Sequence, residues 1–397
     1  TVVDPIANLL FREPPDLIAA EPNTQAFVAD LIDRNRLHHL WKEEAIWSAV
    51  RGDSVFVVGA RGDRVVIDSV NPEYVFVVPD PLDITKTNTV HLRFPMPTLQ
   101  DGRKVIYEQT HTLLEGQGVI MHEVYVVAGD RYVEQLPLEM FASLAGLEPI
   151  ELTGIDELLV VHLANNRCPG EPYGDSDLTP SIKSKMKART LLATQRRDVT
   201  AKHMDPILGL PEEVLRELQE QGGNRVTVRA EDLKLISLRP NEEIQTAVWD
   251  AQLQYAKDED EILKDQILQE AKISPALLGD DSGSGTGRAG IMRLQVSLGH
   301  AQSKQQVWAP AIRTMVRVAA KLENAVFGNQ LDEEPVAIAW KDGIAADDVQ
   351  KAQKNQILVS AGLRSRETAI QDITGWSAAE VADELARIDG FLPVDSE

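Results

Sequence analysis

The sequence holds a single cysteine, Cys168, in 397 residues. That excludes an intrachain disulfide and any multi-cysteine zinc site, and it points to a reducing compartment with Cys168 as an ordinary thiol. Aromatic residues make up only 5%, few for a chain that would hold its ligand by base stacking. No apolar run approaches the roughly 20 residues that a membrane span needs, so no membrane partner is expected. The opening Thr1-Val-Val-Asp-Pro does not read as a signal peptide, and without a methionine the natural N-terminus is expected to lie further upstream. Positive charge is in deficit: 40 Lys and Arg stand against 62 Asp and Glu, a formal net charge of −22. Such a chain repels DNA on average. This excludes tight nonspecific nucleic-acid binding, yet it suits a surface past which DNA slides without sticking.

Catalytic patterns are also missing. The segment Gly283-Ser-Gly-Thr-Gly-Arg288 invites a phosphate-cradle reading, but a P-loop needs Gly-Lys-Ser/Thr after four intervening residues and a strand before it. Here no lysine is in place and the preceding element reads as helical. A dinucleotide fingerprint also needs a preceding strand. The eight histidines are scattered. His38-His39 presents no metal face, because the helical partner of His38 is Lys42. His162, in an apolar strand, reads as a satisfied core histidine. There is no Gly-x-Ser-x-Gly elbow, and Asp258-Glu-Asp-Glu261 reads as an exposed helical face. No catalytic residue, metal ligand or cofactor is expected.

What remains is an ordinary folding composition, 43% hydrophobic and 26% charged, long enough for roughly two or three domains. Residues 1–23 are Pro-rich and read as irregular. Asn23-Thr24 offers caps for a helical stretch to about Val50, interrupted near Asn35. Ser54 to Leu163 switches to β-branched runs bounded by Gly, Pro, Asn and Asp. Ser54-Val-Phe-Val-Val, Arg64-Val-Val-Ile, Tyr74-Val-Phe-Val-Val, Lys104-Val-Ile-Tyr, Glu123-Val-Tyr-Val-Val and Glu157-Leu-Leu-Val-Val predict an antiparallel β-rich region. A helix follows from Pro180, capped by Asp177 or Thr179, to Met204, where Asp205-Pro206 ends it. Residues 206–240 are mixed, with a short helix near Pro211–Glu220 and strands at Arg225–Arg229 and Leu233–Ile236. Pro240-Asn-Glu-Glu243 opens a second long helix to about Lys272. A third begins near Arg288, is expected to kink at Pro310, and then shows one apolar stripe: Ile312, Met315, Val316, Ala319, Leu322 and Val326. A strand at Val336–Trp340 and three short helices, with starts at Ser365 and at the capping box Ser377–Glu380, complete the chain.

Two features carry the argument about function. The helix at 180–204 is basic, with Lys183, Lys185, Lys187, Arg189, Arg196, Arg197 and Lys202 against Asp198 alone; the helix at 241–272 is acidic. A solvated face, phosphate contact by the basic helix, and mutual packing within or between subunits are all open. Mutual packing is favoured, with Lys183, Lys187, Arg196 and Arg197 expected to pair with Asp258, Glu261 and Asp265. Single surface pairs are worth only ~0–1 kcal/mol, so their effect lies in register and partner choice. The second feature is Asp280-Asp-Ser-Gly-Ser-Gly-Thr-Gly-Arg288, a glycine-rich loop between long helices. It suits a mechanical part better than a catalytic pocket.

The order of segments resembles the portal proteins of tailed bacteriophages, especially the siphophage type. The residues that carry the resemblance are Gly52-Asp53-Ser54, Val70-Asn-Pro-Glu-Tyr74, Asn165-Asn166 with Pro172-Tyr-Gly-Asp-Ser-Asp-Leu178, Ile273-Ser-Pro-Ala-Leu-Leu-Gly279 and the Ser-Gly-rich loop before a long helix. It implies an α+β portal-like fold. Residues 1–177 form a β-rich wing, 178–204 and 241–273 two stem helices, and 205–240 a small mixed α/β clip. Residues 274–287 form the tunnel loop, 288–345 a kinked long helix with its return strand, and 346–397 a short helical crown. Asp280, Asp281, Ser282, Gly283, Ser284, Gly285, Thr286, Gly287 and Arg288 are expected to face a channel. The resemblance further implies a homo-oligomeric ring of about twelve subunits at one capsid vertex of the virion, assembled in the host cytoplasm. Double-stranded DNA would pass through it in packaging and ejection. The major capsid protein, the terminase large subunit, the head–tail adaptor and a scaffolding protein would be partners. A minor capsid or adaptor protein without a channel, and a metal-dependent nuclease, are the alternatives.

Overall fold

The computed structural model describes residues 2–84, 86–129, 131–204, 207–211, 234–238, 250–279, 287–334, 336–341, 355–360, 364–374 and 378–391. The chain divides into two units: Thr1–Asp281 with Leu294–Lys341, and Ser282–Arg293 with Asp342–Glu397.

The larger unit opens with helix α1 (Asp4–Phe11), where the sequence reads as irregular. Pro5 sits in the first turn, where its missing N–H costs nothing, and Ile6, Ala7, Leu9, Leu10 and Phe11 are buried. Strand β1 (Asp16–Ile18) pairs antiparallel with β15 (Ala337–Ala339). Helix α2 (Pro22–Arg34) starts at Pro22, with its N-cap Glu21 two to three residues before the expected Asn23-Thr24 caps. Thr24 instead accepts a hydrogen bond from the Asp332 amide at 2.9 Å. The interruption near Asn35 is real. Arg36 takes φ 50° before α3 (Leu37–Arg51), and the Asn35 side chain accepts from Ile67 N while donating to Leu31 O.

The segment after α3 is antiparallel β, as its runs of β-branched residues predict. Strands β2 (Asp53–Arg61), β3 (Arg64–Val70) and β10 (Val160–Ala164) form a sheet in the order β10-β2-β3, and the short strands β11 (Asn166–Arg167) and β12 (Gly174–Asp175) pair antiparallel. Strands β4 (Val75–Pro79), β5 (Thr87–Met96), β6 (Lys104–Leu114), β7 (Gln117–Ala128) and β8 (Arg131–Leu136) form a second sheet in chain order, with β9 (Ile150–Leu152) also on β7. β5 and β8 were not among the expected strands. β5 alternates Val90, Leu92 and Phe94 with His91 and Arg93 and so lacks the β-branched run that marks the other strands, and β8 is polar and exposed up to Leu136.

Three long helices follow: α4 (Pro180–Met204), α5 (Asp250–Glu270) and α6 (Gly287–Phe327). Between α4 and α5, β13 (Ile207–Pro211) and β14 (Lys234–Leu238) pair in parallel. The expected helix at Pro211–Glu220, the strand at Arg225–Arg229 and the helix opening at Pro240–Glu243 lie outside the described residues, apart from Pro211, which ends β13. Helix α6 runs unbroken through Pro310. Its stripe Ile312, Met315, Val316, Ala319 and Leu322 is buried against α1, α2, α3, β2, β3 and β10, while Val326, near the helix end, is half exposed. Trp308 anchors this core, with Phe11 edge-on at 4.9 Å and Phe56 at 6.0 Å between ring centroids.

In the smaller unit, residues 355–360 are helical and precede α7 (Arg366–Thr374) and α8 (Ala378–Phe391). Ser365 caps α7 by accepting from Thr368 N at 3.2 Å. Ser377 of the expected capping box lies outside the described residues. An apolar cavity of about 300 Å³ is lined by Val359, Ala369, Ile370, Ile373 and Leu385.

Candidate functional site

The opposite charges of α4 and α5 face each other in one chain. At a rise of ~1.5 Å per residue the two rods are about 37 and 31 Å long. Lys185 meets Glu270 at 2.6 Å, and Arg189 holds Asp260 with two hydrogen bonds, 2.7 and 3.1 Å. Arg196 reaches the same Asp260 at 3.8 Å. Contacts that climb α4 descend α5, so the rods are antiparallel. Thr179 caps α4 by accepting from Ile182 N and donates to Glu270 at 2.6 Å; Ser181 donates to the other Glu270 oxygen at 2.9 Å. The hydrogen bonds from Lys185, then Thr179, pull the Glu270 carboxyl down to about 2. Asp260 is lowered likewise, chiefly by its bonds to Arg189.

The pairs inside the chain are therefore built from Lys185, Arg189, Asp260 and Glu270, and of the residues expected to pair only Arg196 joins them. Lys183, Lys187 and Arg197 on α4, and Asp258, Glu261 and Asp265 on α5, are exposed. Asp258 accepts a bond from Gln254 on its own helix at 2.8 Å.

The rods are rooted where α5 ends. Ile273 N donates to Leu268 O at 2.8 Å and Lys272 N to Gln269 O at 3.1 Å. This is a Schellman motif with Lys272, at φ 56°, in the left-handed position that glycine usually takes. Ser297 of α6, fully buried, accepts from Ser274 N at 2.7 Å and donates to Lys272 O at 3.3 Å. Leu268, Ile273 and Ala301 pack on Ile6 and Leu9 of α1. A 3-10 turn, Pro275–Leu278, then closes at Gly279 with φ 80°. Beyond it, Asp280, Asp281, Ser282, Gly283, Ser284, Gly285 and Thr286 lie outside the described residues. Gly287 and Arg288 open α6.

Above the root lies a buried ionic node. The Lys304 ammonium, on α6, donates to Asp177 at 2.6 Å, Asn165 at 2.6 Å and Asn166 at 3.1 Å. The two asparagine amides also donate to Asp177, at 3.0 and 2.5 Å. Burial lowers the Lys304 pKa, against the pull of Asp177. The backbone beside the node is closely packed. Gly52, at φ 99°, lies so near Gly174 that a Cβ would sit 2.2 Å from its carbonyl oxygen. Asn165 N donates to Gly52 O at 2.8 Å and Asp177 N to Ala49 O at 2.8 Å. Further along α6, Arg317 grips Glu157 with bonds of 2.8 to 3.2 Å, and Lys321 reaches Asp156 at 2.7 Å and Glu157 at 2.8 Å.

Two histidines of the sheets are buried or nearly so. His162 Nε2 pairs with Asp53 at 2.8 Å, as a satisfied core histidine would. His111 on β6 is buried with neither ring nitrogen hydrogen-bonded. Desolvation first, and His122 second, lower it to about 4. Among the described residues no group of His, Cys, Asp and Glu is placed to hold a metal ion, and no helix is long and apolar enough to cross a membrane.

Residues 195–389 match the family model described as phage portal protein, SPP1 Gp6-like. Over that segment the chain is similar to the phage portal protein family. The match takes in the end of α4, the whole of α5, α6 and α7, and most of α8. A solved chain from the virion of native gene transfer agent (GTA) particle aligns with this chain at 11% identity and a TM-score of 0.46, covering 94% of this chain and 88% of that one. No curated protein matches it.

Sequence reasoning about this chain missed Lys304. One lysine in a helix that also carries Lys321, Arg313 and Arg317 gives little signal. Asn165, Asn166 and Asp177 stood out by their order, but nothing in the linear spacing supplies their cation.

Proposed function

We propose that this chain is the subunit of a portal ring at one capsid vertex, through which double-stranded DNA enters in packaging and leaves in ejection. In this reading residues 1–177 are the wing, α4 and α5 the stem helices of 178–204 and 241–273, and 205–240 the clip. The clip docks the terminase large subunit and later the head–tail adaptor. Residues 274–287 are the tunnel loop, 288–345 the long helix and return strand, and 346–397 the crown. The major capsid protein surrounds the ring, and a scaffolding protein is an assembly partner. The protein is a structural conduit without catalysis of its own.

One observation carries the reading. Within the larger unit, two antiparallel charged rods are zipped together and rooted by buried contacts, and the family match covers the segment that follows the first rod. Rods fixed at the root form a rigid wall, and the net charge of −22 keeps that wall from binding the DNA that passes it. Native mass spectrometry with negative-stain imaging of the purified chain tests this. Closed rings of about twelve copies with a central hole are expected. A persistent 43.9-kDa monomer, or assemblies without a hole, would overturn it.

A further inference from the structure

We infer that the stem carries a charge-complementary seam, in which the outward face of α4 on one copy meets the outward face of α5 on the next. The inference rests on the ring reading above and names the surface by which one copy recognises another.

The faces follow from helix phase. At about 100° per residue, Lys183, Lys187 and Arg197 lie roughly 120–200° round α4 from Lys185, which points at α5. By the same rule Asp258, Glu261 and Asp265 lie roughly 100–160° round α5 from Asp260, which points at α4. The six side chains are exposed. Among the described residues, no ion pair inside the chain uses them. Each face also shows apolar side chains to solvent: Met186 and Leu191 on α4 are 40% and 60% exposed, Tyr255 and Ile262 on α5 75% and 50%. A solvated charged face has no use for such side chains, whereas a helix–helix contact does.

Charge selects the occupant. A nucleic acid would take the basic face and be repelled by the acidic one. A second copy satisfies both at once, because the two faces carry opposite charge. A head-to-tail interface of this kind repeats at every seam and closes into a ring. Register agrees as well. Rotation about an axis along the stem keeps each residue at its height. Counting up α4 and down α5 from Lys185–Glu270 sets Arg197 level with Asp258 and Lys187 within one turn of Asp265. Both gaps are within reach of the long basic side chains.

Two variants test the seam, Lys183→Glu/Lys187→Glu/Arg197→Glu and Asp258→Lys/Glu261→Lys/Asp265→Lys, with circular dichroism to confirm the fold of each. In native mass spectrometry each alone should lose the ring, because like charges then meet at every seam. Mixed in equal amounts they should regain it, with strict alternation and an even number of copies. The chain carrying all six changes should ring by itself. If either triple variant rings as the parent does, or if the folded mixture and the six-fold variant both stay dissociated, the seam is wrong. Parent rings alongside such results leave the portal reading standing, whereas a parent that never forms rings defeats that reading first. Should a triple variant misfold, the pair Arg197→Asp and Asp258→Arg, alone and combined, decides the question: loss in each with recovery in the double supports the seam, and no loss in either overturns it.

Discussion

The Lys304 ammonium on α6 and the Asp177 carboxylate, three residues before α4, meet at 2.6 Å with the lysine side chain 6% exposed and the aspartate 15%. This single contact ties the long helix to the start of the first rod. Asn165 and Asn166 complete the coordination, so every charge there has partners. Lys304→Met should leave Asp177 buried and uncompensated. The expected loss is about 3–5 kcal/mol, read as a lower urea midpoint with an unchanged slope. Adding Asp177→Asn to that variant should recover part of the loss, since a neutral amide costs less to bury. If the single variant melts with the parent, the node does not hold the root.

Lys272 makes a second, opposite prediction. A non-glycine residue at φ 56° bears a left-handed penalty of about 1–2 kcal/mol. Lys272→Gly removes it and gives back about 0.5–1 kcal/mol through the entropy of the unfolded chain. The net effect should lie between neutral and a gain of about 1 kcal/mol. Lys272→Val puts a β-branched side chain in the same backbone and should destabilise by at least ~1 kcal/mol. Denaturant titration of the two variants should rank glycine above lysine above valine.

These two residues mark what the linear sequence can and cannot disclose. The bounds of α4 were legible because Thr179-Pro180 and Asp205-Pro206 are chemical stop and start signals. The antiparallel region was legible because β-branched residues cluster in short runs along β2, β3 and β7. Helix α1 was not, because Pro5, Pro14 and Pro15 crowd a short apolar segment and read as irregular chain. The choice of Lys185 and Arg189 as the internal partners, over Lys183 and Lys187, depends on helix phase. That phase is set by buried Ile182 and Ile267, and composition gives no hint of it. Lys304 was hidden for a related reason: its partners lie more than a hundred residues away in sequence, and only the fold brings them within 3 Å.

His111 sets a pH limit on the six-stranded sheet. Its neighbours across β5 and β7 are Val90 and Ile120, so a protonated ring would sit among apolar side chains. Its folded pKa lies near 4, below the ordinary imidazole value of 6.5. Between those values the unfolded chain binds the proton and the folded chain does not, so stability falls as pH drops from about 6.5 to 4. The shift corresponds to at most about 3 kcal/mol. His111→Leu should flatten this part of the stability–pH curve. A variant that keeps the parent's full slope between pH 6.5 and 4 would show that His111 is not the group responsible. Glu270 adds a separate window further into acid. Its depressed carboxyl stabilises the root above its ordinary value of 4.5, and that contribution is lost as pH falls through about 2.

The proposed tunnel loop follows a well-anchored turn and precedes a long helix. On one side Ser297 and the Schellman turn hold Lys272 and Ser274, and Gly279 ends the 3-10 turn. On the other side α6 starts at Gly287. The eight links from Gly279 to Gly287 can span at most about 28 Å. Deleting Ser282-Gly283-Ser284-Gly285 leaves four links and at most about 14 Å, too short to reach far into a bore. Because the node at Lys304 and the grip of Arg317 on Glu157 are untouched, the deleted chain should assemble as the parent does. DNA packaging and the retention of packaged DNA, measured as nuclease-protected genome per particle, should fall. Unchanged packaging and retention in particles carrying the deletion would remove these residues from the channel.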